Sequence, residues 1–147
     1  MSDSRINDQL RQAVTARASG CCEYCRSPLK YSPDPFAIEH IIPLSLGGAT
    51  QLENLALSCL GCNGYKYNKV NAIDPSSGLV APLFHPRKQR WNEHFVWNED
   101  CTHVMGMSPT GRATIEALRL NRINLVNLRR ILFETGEHPP DLTDPDH

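Results

Sequence analysis

The chain of 147 residues contains no apolar run approaching the ~20 residues that a membrane-spanning helix requires, which excludes a helix-anchored role. No apolar segment follows Ser2-Asp3-Ser4-Arg5, so no export signal is legible and a soluble, cytoplasmic protein is expected. There is no internal repeat and no low-complexity tract ahead of the C-terminal end, and nothing resembles a linker long enough to separate domains. A chain of this length can bury roughly 70% of the surface its unfolded form exposes, enough for one core. One domain over residues 1–136 is therefore expected, with a core over 17–72, an extension over 73–136 and a tail over 137–147.

Net charge is also scarce, at -1. Five acids, Glu134, Glu137, Asp141, Asp144 and Asp146, fall in the last fourteen residues beside Pro139, Pro140 and Pro145, which reads as a disordered acidic tail. Subtracting those five from the 16 acids leaves 11 against 15 basic residues over 1–133, a net of +4. A positive body of this size permits phosphate binding without requiring it.

Cysteine is present in an informative pattern. Cys22/Cys25 and Cys59/Cys62 form two C-x-x-C pairs, with Cys21 and Cys101 left over. Without an export signal, such spacing favours metal ligation over disulfides, and two thiolate pairs can close a tetrahedral zinc site. Cys21 could compete with Cys22, but only Cys22 gives the two-residue gap that points both sulfurs at one ion. Closing the site would hold the intervening Glu39-His40-Ile41-Ile42-Pro43 near Asn63, a His/Glu/Asn cluster suited to metal-assisted hydrolysis.

Helical spacing of Ile6, Leu10, Ala13 and Val14 predicts a helix over 4–19 capped by Ser4. Phe36 to His40 reads as a strand, Leu44 to Glu53 as an irregular loop, Asn54 to Leu57 as a second strand, and Asn63 to about Ala72 as a helix. Trp91, Phe95 and Trp97, with His103-Val104-Met105, suggest a hairpin turning near Asn98-Glu99-Asp100. Two helices follow, one from Pro109 to Leu118 with Ser108 as cap, the other ending at Gly136.

Taken together, Cys22-x2-Cys25, Glu39-His40-Ile41-Ile42-Pro43, Gly47-Gly48, Asn54-Leu55-x-Leu57, Cys59-x2-Cys62-Asn63 and Lys66 resemble the HNH endonucleases with zinc knuckles. The resemblance covers about residues 17–70; residues 83–122 look more loosely like the C-terminal part of small stand-alone bacterial members. It implies an α+β protein on a ββα-metal core that hydrolyses DNA phosphodiesters, leaving 5′-phosphate and 3′-hydroxyl ends. His40, of intrinsic pKa near ~6.5, is then the general base. Glu39 and, by the resemblance, Asn63 hold one catalytic Mg²⁺ or Mn²⁺, and Asn54 braces the loop. The family often has histidine where Asn63 stands, and an amide oxygen favours Mg²⁺ or Mn²⁺ over zinc or nickel there.

Arg17, Lys66 and Lys69 are candidate nucleic-acid contacts, although a solvated helix face accounts equally well for the two lysines. Arg112, Arg119, Arg122, Arg129 and Arg130 read as ordinary arginines on exposed helices, His85, His94 and His103 as structural, and Trp91, Phe95 and Trp97 as core. DNA, expected to be double-stranded, is the partner, with specificity low or supplied by another protein. A non-catalytic zinc-stabilised DNA-binding module and an RNA-directed nuclease are the competing readings.

Overall fold

Asn7 begins the first helix, α1 (Asp8–Arg17), by accepting a hydrogen bond from Leu10 N at 2.8 Å, which satisfies one of the donors that a helix N-terminus leaves open. The computed structural model describes residues 6–142, so the expected cap Ser4, and Asp144 and Asp146 of the tail, lie outside the described residues. Ser19 and Gly20 take positive φ of 53° and 70°, and the chain reverses into the first cysteine pair.

Strands β1 (Ala37–His40) and β2 (Leu55–Ser58) pair antiparallel, with Glu39 opposite Ala56 and His40 opposite Leu55. Helix α2 (Leu60–Lys66) follows at once. The two strands, their connecting loop and α2 make the ββα unit that the motif spacing predicts. α2 starts three residues earlier than expected, because Cys59 Sγ accepts from Cys62 N and serves as its cap. It also ends earlier. Lys69 N bonds to Lys66 O, and Asn71–Ile73, which begins inside the expected helix, is strand β3, paired with β4 (Val80–Pro82). A partner strand seven residues downstream has overridden local helical preference.

The extension covers one flank of this unit. Trp91 belongs to a short helix, α3 (Trp91–His94), and not to the expected hairpin, which is formed by β5 (Phe95–Trp97) and β6 (Val104–Gly106). Helix α4 (Pro109–Leu118) is capped by Ser108 as predicted and packs on α2, β3, β4 and β6; α5 (Ile123–Glu134) closes the fold. Arg112 grips the buried carboxylate of Asp74 with two bonds of 2.9 Å, which holds that carboxyl well below the usual range and ties α4 to the end of β3.

One hydrophobic cluster runs from Ile6 and Val14 through the four cysteines to Phe84, Trp91, Phe95 and Leu125. Phe84 meets Tyr24 edge-on at 6.5 Å and Phe95 at 5.3 Å, while Trp91 Nε1 donates to Tyr24 O at 3.0 Å. The three hairpin-region aromatics are thus used for packing, as their pattern implied.

Two surface expectations fail because polar groups expected to face solvent find partners elsewhere in the chain. Arg129 is buried, with its guanidinium on the carbonyls of Thr102 and Leu120 and above the Trp97 ring. Residues 137–142 do not hang free as an acidic tail: Glu137 pairs with Lys30 at 3.1 Å and accepts from the Tyr31 hydroxyl, and buried His138 packs edge-on to Trp97 at 4.6 Å. Among the described residues no helix is long and apolar enough to cross a membrane.

Candidate active site and cysteine cluster

The loop between β1 and β2 is closed by Asn54, whose amide makes three bonds back across it. Oδ1 accepts from Ile42 N at 2.8 Å, and Nδ2 donates to the carbonyls of Ile42 and Ala49 at 3.0 and 2.9 Å. Gly48 lies against this brace so closely that a Cβ there would sit 1.8 Å from Ile42 O. The glycine is needed for this close approach, not for a special φ.

Closing the loop delivers Thr50 to the end of β1, where its Oγ1 lies 2.9 Å from His40 Nε2 and fixes the imidazole ring. Glu39, His40 and Asn63 then line one cleft of about 460 Å³ between the strand end and α2. Asn54 stands outside that cleft and acts on it through the loop.

Beneath the cleft, Glu39 is buried between two donors. The Tyr24 hydroxyl donates to Oε1 at 2.6 Å, and the Lys66 ammonium lies 2.6 Å from Oε2 without an aligned hydrogen bond to it. Burial pushes the Glu39 carboxyl up, and Lys66 and Tyr24 oppose that shift. Tyr24, held between burial and this carboxylate, has its own hydroxyl pushed well up and remains a donor.

Lys66 is therefore not the phosphate contact its helical position suggested. It is 1% exposed and also donates to Ile41 O at 2.8 Å. A lysine this deep needs a paired carboxylate, and Glu39 supplies it. Arg17 is likewise structural, with Nη1 on Leu52 O and Nη2 on Leu55 O, bracing the start of β2. Lys69 is exposed, and its ammonium donates to Tyr65 O at 3.0 Å.

Because the Lys66–Glu39 pair is buried on both sides, replacing Lys66 with Met is expected to destabilise the protein by about 3–5 kcal/mol, the cost of stranding a buried charge. Urea unfolding would measure it. Adding Glu39→Gln should recover most of the loss, and a Lys66→Met protein as stable as the parent would refute the pairing.

The second polar centre sits behind α2. Sγ atoms of Cys22, Cys25, Cys59 and Cys62 all lie within 4.8 Å of one another, in the group expected from the two C-x-x-C pairs, and Cys21 is not among them. In each knuckle the first sulfur accepts from the backbone N of the last cysteine, at 3.5 Å for Cys22 and 3.4 Å for Cys59. Burial pushes the Cys22 thiol well up, whereas hydrogen bonds from Cys22 and Cys25 hold Cys59 well down. Four converging sulfurs form the soft donor set a zinc ion takes.

Sequence reasoning missed the residue that covers this centre. Arg122, read as an exposed helix arginine, directs Nη2 at Cys59 and Cys62 Sγ, 3.4 and 3.7 Å away. Burial is the largest influence and works against its charge, but Cys62, Cys25 and Cys59 together oppose it and hold the guanidinium more firmly protonated than usual. No local signal marks a contact between residues 60 positions apart. Thr50 and Tyr24 were missed too, although the Gly47-Gly48 pair could have pointed to a loop that folds back on its strand.

Of the remaining histidines, His85 is lowered to about 4 by burial, then by Lys88, and is neutral at physiological pH. His94 bonds to Ser108 and His103 to Thr102, which are structural roles. Residues 22–69 match the family model described as HNH endonuclease. No curated protein and no solved structure matches the chain.

Proposed function

We propose that this chain, whose residues 22–69 are an HNH endonuclease domain, hydrolyses DNA phosphodiester bonds in the cleft lined by Glu39, His40 and Asn63. The observation that carries this reading is the convergence of those three side chains on one cleft. A purely structural zinc module would need the four cysteines alone, not a histidine held by Thr50 beside a carboxylate and an amide.

His40 is the general base. If Nε2 keeps its hydrogen and donates to Thr50 Oγ1, Nδ1 is the basic nitrogen that takes a proton from the attacking water. The Thr50 contact holds the ring plane, and the Asn54 brace holds the loop that carries Thr50. Two sites of different softness then sort two metals: four thiolates suit zinc, and a carboxylate with an amide oxygen suits Mg²⁺ or Mn²⁺. Glu39, whose Oε2 also lies 2.6 Å from the Lys66 ammonium, and Asn63 are the residues that would hold the harder ion. When bound, that ion supplies neutralisation of charge on the leaving oxygen.

Incubation of supercoiled plasmid with the protein is expected to give cut DNA with Mg²⁺ or Mn²⁺ and none with EDTA, with ends that ligase reseals because they carry 5′-phosphate and 3′-hydroxyl groups. Absence of cutting with either ion, or cutting undiminished by EDTA, would overturn the reading. RNA digested in parallel and in preference to DNA would move the substrate class to RNA.

A further inference from the structure

Helix α2 ends on a turn that a tyrosine has no conformational reason to occupy. Lys69 N donates to Lys66 O at 2.9 Å, closing a β-turn, and Tyr67 at its second position has φ 49° and ψ -113°. Those angles are close to the mirror image of a type II corner, where glycine is the ordinary residue because a Cβ crowds the backbone. The side chain gains nothing from packing in return: Tyr67 is 76% exposed, and its hydroxyl has no partner among the described residues. What the tyrosine does supply is a ring at the lip of the cleft that contains His40 and Asn63. Its neighbour Tyr65 differs, since the guanidinium groups of Arg119 and Arg122 lie 5.5 and 5.7 Å from that ring.

We propose that Tyr67 is a base-stacking residue of the nuclease centre, its ring lying against a nucleobase that flanks the scissile phosphate and so holding the phosphate in register with His40. This rests on the reading of the cleft given above. Backbone strain collects where function repays it, and an exposed aromatic on a strained turn beside a catalytic cleft is such a case. The polar groups of the cleft act on phosphate, which is the same at every step of the chain. A π face adds a contact to the base that tolerates any sequence. Inside a duplex the base must first leave its stack, so Tyr67 favours substrates in which a base is already unpaired, such as single strands and mismatches.

The test compares the parent protein with Tyr67→Phe, Tyr67→Ala and Tyr67→Gly in steady-state cleavage of single-stranded and duplex oligonucleotides. Stacking of one base corresponds to a change on the order of 5- to 150-fold, so Tyr67→Ala and Tyr67→Gly should raise KM for the single strand by that factor and Tyr67→Phe by less than about twofold. A second readout uses the same substitutions in a His40→Ala background, with an oligonucleotide carrying 2-aminopurine at each adenine. Its fluorescence should be quenched when Tyr67 is intact or changed to Phe, and left unquenched by Tyr67→Ala or Tyr67→Gly. The Tyr67→Gly protein should keep or raise the urea midpoint, because it relieves the turn. Parent-like KM and quenching in both the Tyr67→Ala and Tyr67→Gly proteins would overturn the inference while plasmid cutting by the parent stood. Loss with Tyr67→Ala but retention with Tyr67→Gly would also overturn it, by showing that only the turn matters. A parent protein that neither cuts nor binds DNA would remove the nuclease reading itself, and the inference with it.

Discussion

Stripping zinc from the four-cysteine cluster is expected to unfold the protein globally, with loss of near-ultraviolet circular dichroism in a single transition. The magnitudes decide this. Structural zinc contributes about 10–16 kcal/mol at neutral pH in small zinc-dependent folds, whereas an entire domain is stable by about 5–15 kcal/mol. The cluster lies inside the same hydrophobic core as Phe84, Trp91 and Leu125, with Cys22 and Cys62 wholly buried, so no independent subcore remains to survive its loss. Elemental analysis should give one zinc per chain. Metal-free protein from chelator-free purification, or native dichroism in a Cys59→Ser/Cys62→Ser variant, would refute the assignment.

His40→Ala should lower the cleavage rate by about 10²–10⁴-fold, the usual contribution of a positioned general base, with DNA affinity little changed. Affinity is spared because His40 is 7% exposed and its ring is held by Thr50, so that it offers little surface to the nucleic acid. The two effects separate cleanly when cleavage is read on plasmid and binding by fluorescence anisotropy in Ca²⁺ or EDTA. Cleavage at the parental rate, with contaminating nuclease excluded, would show that another group takes the proton.

The parts of this protein that can be read from sequence are those with short-range geometry. The C-x-x-C gap places two sulfurs on one ion, Ser108-Pro109 opens a helix, and the two strands flanking the loop are each legible to within a residue. Residue type and spacing single out Glu39, His40 and Asn63, and the structure brings them to one cleft. What cannot be read is burial of charge. Lys66, Arg17, Arg122 and Arg129 each look like surface cations in a helical pattern, yet each is turned inward by a partner distant in the chain: Glu39, the Leu52 and Leu55 carbonyls, two cysteine sulfurs and the Thr102 carbonyl. Periodicity reports which residues share a face, not what that face meets. The expected helix overruns the end of α2 for a related reason, since β3 exists only because Val80–Pro82 lies beside it.

The contacts made by residues outside the matched segment bear on what can be inherited as a piece. Arg122 reaches the sulfurs of the second knuckle, Arg87 pairs with Glu23 inside the first, and Trp91 holds the carbonyl of Tyr24, the residue whose hydroxyl supports Glu39. The stretch that is recognisable, 22–69, thus draws contacts from residues outside it. A recombination event carrying only the recognisable stretch into another gene would deliver Glu39, His40, Asn63 and the four cysteines and leave behind Arg122, Arg87 and Trp91, which contact that stretch. The recipient would have to supply a cation over the thiolates and an aromatic wall behind the knuckle before the transplanted motif could fold. A breakpoint inside the extension, or between α1 and the motif, would cut such contacts, so both flanks are expected to travel with the motif as one cassette.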